Sequence, residues 1–396
     1  MARILFYLQK NKLSPRGGPL GVGYYYWDEM KKRNESTIDF IENDSTTENI
    51  MGVARKIVGH LPKKIYDLQH SLRDIKRIKK LLKDPSPLSE VDLNKYSVIQ
   101  FHETMDLYLE KKNLENYKGI VILQSHSPLP AGMEKTLDYS KIYHRLIPNL
   151  GKKLEEIDRY AFERADYLVF PCKEAEEPYI DNWDYYKIIK EEKKDKYLYI
   201  ETGIKPATAL RVKKVVREEL HIPMNDFVVF YAGRHNIVKG YNSLKTIGRS
   251  FLEKSEDNWI VVAGRLGPIE SPDYKRWIEI GWTTDAHSYM AAADVFILPN
   301  KVTYFDLVFI EAMSLGMIIL ASRTGGNKYY EKFNLPGVFL YDNEKEAVDC
   351  LQRIKNMSEE ERNTLRKINK EFYAEHLTVS KMYDNYFNAI NKIDDN

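Results

Sequence analysis

Two continuous apolar runs, ADVFILP at 293–299 and MIILAS at 317–322, bracket a short loop and one helix-sized segment. Apolar runs without alternation suit strands buried on both faces, which is the situation in a parallel sheet covered by helices. Pro299 ends the first strand. The helix predicted from Leu307 carries Val308, Ile310, Ala312 and Met313, and Gly316 closes it. The loop Asn300–Asp306 therefore lies at the carboxyl edge of a parallel sheet. Ligands bind at that edge, and a helix N-terminus there presents free N–H groups to an anion such as a diphosphate. Glu311, one turn into the helix, is flanked by Phe309, Ile310, Ala312 and Met313. It is either a charge on an ordinary solvated face or one met by a polar ligand group such as a ribose, because an unpartnered buried carboxylate is costly.

The same alternation runs through most of the chain. Strands are expected at 3–8, 36–42, 97–103, 119–128, 167–172 and 197–204, and again at 227–234, 259–264, 277–282 and 295–298, with helices between them. A chain of 396 residues exceeds what one core comfortably serves. The polar, basic stretch 205–225, broken by Pro206 and Pro223, is the expected boundary. This places a first domain at 1–205, completed by a C-terminal helix at 378–396, and a second at 206–377. From Asn343 onward the pattern is helical.

Lys plus Arg (60) nearly balance Asp plus Glu (58), so a wholesale nucleic-acid binder is a poor expectation and basic surface must be local. Cys172 and Cys350 sit in apolar contexts, as buried thiols of a reducing compartment do, and a cytoplasmic location follows. MARILFYLQK reads as a first strand and not a signal segment, and no window approaches a membrane span. One basic amphipathic helix is expected at 63–83, with Ile65, Leu68, Leu72, Ile75, Ile78 and Leu82 at spacings of three and four. It suits either a surface helix packed on a sheet or peripheral contact with anionic lipid at the inner face of a membrane. Near the N-terminus, Gly17, Gly18, Gly21 and Gly23 form a loop leading into a helix, where backbone can approach a ligand closely. His102 and His126 end two of the strands.

In the second half, Arg234 ends a strand and Lys239 opens the next helix, so both fall at the same edge as the amides near Asp306 and Leu307 and as Glu311. Arg suits a bidentate phosphate contact and Lys a point contact. Together these residues fit a nucleoside diphosphate.

At AGRHNIVKG (232–240), VVAGRLGP (261–268), IGWTTDAHSYMAAADVFILPN (280–300) and FDLVFIEAMSLGMIILASRTGG (305–326) the sequence resembles the family 4 glycosyltransferases of the GT-B fold. The resemblance is close across 227–331 and looser before it. It implies an α/β architecture of two Rossmann-like, doubly wound parallel-sheet domains facing a cleft, and retaining transfer of a sugar from a nucleotide donor, a UDP-sugar foremost, to a glycan or lipid-linked acceptor. Surface polysaccharide or glycoconjugate synthesis of the bacterial type is the implied setting, with no metal and no other cofactor. By the resemblance His126, Arg234 and Lys239 look catalytic. Gly17, Gly18, Gly264, Thr303, Tyr304, Phe305, Asp306, Leu307 and Glu311 look like donor contacts, with Glu311 on the ribose. The family's first motif glutamate is Thr303 here, and its two glycines are Tyr304 and Asp306. Thr303 can hydrogen-bond but brings no carboxylate to the donor sugar. Asp306 is the available substitute. An inactive GT-B subunit that binds a glycan or a partner protein is the alternative these departures raise.

Overall fold

The computed structural model describes residues 3–15, 17–42, 72, 75–76, 78–87, 90–130, 132 and 149–394. Contacts divide the chain into two units. One comprises Met1–Phe170, Tyr179–Leu198 and Ala389–Asn396, and the other Pro171–Pro178 and Tyr199–Asn388.

The first unit is built on β1 (Ile4–Gln9), β2 (Ile38–Ile41), β3 (Val98–Phe101), β4 (Ile120–Gln124), β5 (Tyr167–Phe170) and β6 (Tyr197–Tyr199), in the order β2-β1-β3-β4-β5-β6. The registered pairs among them are parallel. The expected strand at 197–204 is shorter than its apolar pattern suggested, ending at Tyr199. Helix α1 (Pro19–Lys32) begins directly after Gly18 and takes in Gly21 and Gly23, which were expected in the loop, so the loop keeps only Gly17 and Gly18; α2 (Thr104–Leu109) and α3 (Leu150–Arg164) follow later. In α3, Leu150, Leu154, Ile157, Ala161 and Phe162 form one buried face, the stripe that helical periodicity requires. Ile75 and Ile78 pack on Leu150, Leu154 and Ile157 of that face. The described part of the basic helix expected at 63–83 thus turns its isoleucines to protein, while residues 63–71 lie outside the described residues.

The second unit holds β7 (Phe227–Ala232), β8 (Asn258–Ala263), β9 (Trp277–Gly281), β10 (Val295–Leu298), β11 (Ile318–Ser322) and β12 (Val338–Tyr341). Their order is β12-β11-β10-β7-β8-β9, all registered pairs parallel. The sequence pattern assigns no element to 323–342, which in fact contains a 3-10 segment, Gly325–Phe333, and β12. The helices are α4 (Lys213–Glu219), α5 (Tyr241–Leu252), α6 (Ala286–Ala292), α7 (Leu307–Ser314), α8 (Glu344–Lys355), α9 (Glu359–His376) and α10 (Val379–Asp394), the last counted with the first unit from Ala389 onward. The last three agree with the helical pattern expected after Asn343. Side chains of β7, β8, β10 and β11 interdigitate with α5 and α8 in one core.

A buried ionic hub fastens α4 beneath this sheet. Arg217, 1% exposed, donates to Asp294 Oδ2 at 2.8 Å and to the carbonyls of Ala292, Pro223, Met224 and Asp226. Asp294 also accepts from Lys213 Nζ at 2.9 Å and from the Val228 amide at 2.9 Å. Burial pushes the Asp294 carboxyl up, but Lys213 and Arg217 outweigh it and hold the group below its usual range.

Cys172 and Cys350 are free and buried. Among the described residues no helix is long and apolar enough to cross a membrane.

Candidate functional site

An open parallel sheet forms its ligand crevice where the strand order reverses, because the loops on either side there turn away from each other. In the second unit that point lies between β7 and β10. The loop after β7 carries Arg234 and Lys239, and the loop after β10 carries Asn300 to Asp306. The two loops are locked together. Lys301 N donates to Val238 O at 2.9 Å, and Gly240, with φ +66°, lies so close to Pro299 that a Cβ would sit 1.6 Å from its carbonyl oxygen. Gly264 permits the same close approach at the neighbouring strand: φ is +151°, and a Cβ would meet Gly233 O at 1.9 Å. No other residue type fits either position.

Lys239 does meet the loop that the sequence placed near it. Its Nζ lies 2.6 Å from Asp306 Oδ1, and both side chains are largely buried. Asp306 Oδ2 accepts from Asn300 Nδ2 and, at 3.1 Å, from Thr303 Oγ1. Arg234 is exposed and has no ion pair among the described residues. Asp306 is the N-cap residue of α7, yet its side chain makes no capping bond. The carboxylate is turned to Lys239 instead, and the Leu307 end of α7 keeps its positive pole uncapped.

Thr303, Tyr304 and Phe305 are all buried. Phe305 packs edge-on against Tyr329 and parallel to Tyr330, at 5.5 and 6.1 Å between centroids. Thr303 is 1% exposed. Its hydroxyl therefore serves Asp306, and this segment forms the floor under the loop.

Glu311 has a partner that the sequence pattern does not reveal. His287 Nε2 on α6 lies 3.1 Å from Glu311 Oε2, with both side chains about a third exposed. The hydrogen bond that His287 donates to the Glu311 carboxylate raises the His287 pKa above its ordinary value, against the opposing effect of burial. The available signal was a histidine among small and apolar residues in AHSYMAAAD; nothing local told which carboxylate it would face. Glu311 is thus half-solvated, with one oxygen engaged and room for a second hydrogen-bonding group.

In the first unit the order reverses between β1 and β3. Gly17 and Gly18 lie exposed in the loop after β1, and Gly18, φ +78°, is the N-cap residue of α1 with Pro19 at the first helical position. After β3 and β4 come His102, 1% exposed, and His126, half-buried, joined by a 2.9 Å contact between His102 Nδ1 and His126 Nε2. Desolvation pushes both imidazole pKa values down, so both are neutral near pH 7.

Comparison with known proteins agrees with this arrangement. Residues 212–372 match the family model for glycosyl transferases group 1. A stretch of 81 residues is 30% identical to the UDP-Gal:alpha-D-GlcNAc-diphosphoundecaprenol alpha-1,3-galactosyltransferase of Escherichia coli, covering 20% of this chain and 21% of that protein. The match thus spans about a fifth of that relative's length. Among solved structures, sucrose-phosphate synthase from Thermosynechococcus elongatus superposes with a TM-score of 0.62 at 15% identity, over 98% of both chains. Anabaena HepE, in complex with UDP and glucose, gives 0.57 at 14% identity, over 99% of this chain and 100% of that one. Identities this low establish likeness of fold alone. The chain has the GT-B fold of two parallel six-stranded sheets, and the stretch that matches the group 1 glycosyl transferase model lies in its second unit.

Proposed function

We propose that the protein transfers a sugar, with retention, from a nucleotide-sugar donor to a glycan or lipid-linked acceptor. The observation that carries this reading is the convergence, at one sheet's switch point, of an exposed Arg234, Lys239, the uncapped N-terminus of α7, and a half-solvated Glu311. That set matches a nucleoside diphosphate: carboxylate for the ribose, cations and helix pole for the phosphates. The leaving diphosphate gains charge as the glycosidic bond breaks, and fixed positive groups are what lower that barrier. Arg234, Lys239 and the α7 N-terminus supply the neutralisation that a metal would otherwise provide. Transfer occurs on the face from which the diphosphate departs, whose oxygen takes the acceptor's proton.

UDP is the leading donor nucleotide because the Anabaena structure is a complex with UDP and glucose and the E. coli relative is named for UDP-Gal. The latter's diphosphoundecaprenol substrate motivates a lipid-linked acceptor here, in surface glycoconjugate synthesis. Residues 63–83 would then hold the protein peripherally at the inner face of an anionic membrane. Thermal-shift titration with nucleotide sugars, followed by a transfer assay with radiolabelled donor, tests the proposal. UDP is expected to raise the Tm, and Arg234→Ala and Lys239→Ala each to remove most of the rise. Unchanged UDP affinity in both variants rules out this phosphate site.

The competing reading is a GT-B subunit that binds a glycan or protein without turnover. It is favoured by one observation, the engagement of Lys239 by Asp306. Tight nucleotide binding with no transfer or donor hydrolysis decides for it.

A further inference from the structure

At the carboxyl ends of β3 and β4 a buried polar chain, to which the proposed transfer assigns no role, leads to His126. Gln100 Nε2 donates to Gln124 Oε1 at 2.8 Å and lies 3.5 Å from His102 Nε2, and His102 Nδ1 lies 2.9 Å from His126 Nε2. Gln100, His102 and Gln124 are almost wholly shielded from solvent. Each neutral imidazole carries one N–H and one lone pair, so such a chain must run in a single direction. With Gln100 donating to both neighbours, His102 accepts at Nε2 and carries its proton on Nδ1. It then donates to His126 Nε2, and the His126 proton resides on Nδ1.

The reverse direction requires both amides to turn over. The Gln100 amino group would then occupy the place of its present carbonyl oxygen, which is buried with no hydrogen-bond partner among the described residues. Turning it would exchange one orphaned acceptor for two orphaned donors. Under-satisfied carbonyls are tolerated in protein interiors more readily than orphaned N–H groups.

We propose that Gln124, Gln100 and His102 are positioning residues that hold His126 as its Nδ1–H tautomer, so that His126 meets the donor sugar as a hydrogen-bond donor and not as a base. The inference rests on the proposed transfer and on the expectation, implied by the resemblance, that His126 is catalytic and close to the donor sugar. Its Nδ1 has no partner among the described residues, while its Nε2 lone pair is already taken by His102. His126 therefore offers one N–H to a sugar or phosphate oxygen and has no free site on which to receive the acceptor's proton.

The test uses the full chain labelled with 15N-histidine and long-range 1H–15N correlation near neutral pH, with His102→Gln and His126→Gln variants to assign the signals. Both rings are expected in the Nδ1–H form; His126 protonated on Nε2 in the wild type overturns the proposal. Gln100→Glu sets a pure acceptor against His102 Nε2 and should reverse the chain. His126 then shows Nε2–H, kcat for transfer falls about tenfold, the loss of one aligned hydrogen bond in the transition state, and KM and UDP affinity stay as they were. Gln124→Glu keeps an acceptor toward Gln100 and should keep both tautomer and rate. Reversed tautomers with a wild-type kcat overturn the positioning role. If Gln100→Glu does not fold, the wild-type spectrum still decides the direction. Absence of wild-type transfer on every donor is a failure of the function proposed above, and is read separately from the tautomer.

Discussion

Lys239 is the cation on which a diphosphate would settle, yet Asp306 already holds it at 2.6 Å. A phosphate oxygen arriving in ordinary hydrogen-bond contact with Lys239 Nζ would stand about 5–6 Å from the Asp306 carboxylate. In a site that is neither bulk water nor dry protein, with an effective dielectric of roughly 40, two like unit charges at that separation repel by about 1.5 kcal/mol. Asp306→Asn removes the repulsion while leaving an amide oxygen to accept from Thr303. UDP affinity is therefore expected to rise about tenfold. Isothermal titration calorimetry measures this directly, and the gain should shrink as salt is raised, since the repulsion is screened. If the Asp306 carboxylate instead takes hydroxyl bonds from the transferred sugar, the variant gains for UDP but not for the intact nucleotide sugar. Weaker or unchanged UDP binding in a folded Asp306→Asn protein refutes the electrostatic reasoning.

Three further outcomes follow from other contacts. The His287 pKa is raised in the folded protein, so the stability from its bond to Glu311 is fully present below the unfolded pKa, about 6.5. That stability is lost as pH climbs through the folded value. The Tm deficit of His287→Ala should accordingly be largest near pH 6 and fade toward alkaline pH; a deficit that grows with pH contradicts the assignment. Asp294→Ala strands Arg217 in the interior and should cost about 3–5 kcal/mol in urea unfolding, and a loss below 1 kcal/mol would mean that the hub is not the anchor described. Thr303→Glu forces a carboxylate into a site 1% exposed and directly beside Asp306. It should lower the Tm sharply and not merely redirect donor choice, and a stable variant with a new donor preference would show that the segment is less closely packed than drawn.

The two sheets were legible in the sequence because parallel strands buried on both faces write themselves as uninterrupted apolar runs, as Val295–Leu298 does. Val338–Tyr341 escaped notice because it is a short edge strand, mostly half-buried, following a 3-10 segment rather than a regular helix. Within the site, Arg234, Lys239, Asp306 and Glu311 were legible as strand-end and helix-start positions. Their partners were not. His287 and Glu311 are 24 residues apart, and Lys239 and Asp306 are 67 apart, so each pairing is set by strand order rather than by local pattern. Thr303 was expected to touch the transferred sugar. Its burial depends on how the 3-10 segment behind it folds, with Gly325 closing on the Thr303 carbonyl, and no spacing rule reports that.

The close seat of Gly240 on Pro299 also has a thermodynamic consequence. Loops that must be ordered by their ligand charge the binding reaction with lost conformational freedom, typically about 0.5–1.5 kcal/mol for each immobilised side chain. Here the β7 and β10 loops are joined through backbone, at Lys301 N to Val238 O, and Asn236 Oδ1 accepts from the Lys239 amide at 2.8 Å. Their ordering is completed when the unit folds. Nucleotide binding in this unit should therefore carry a small entropic penalty, and differences in affinity among nucleotides should reflect charge and hydrogen bonding rather than rearrangement of the main chain.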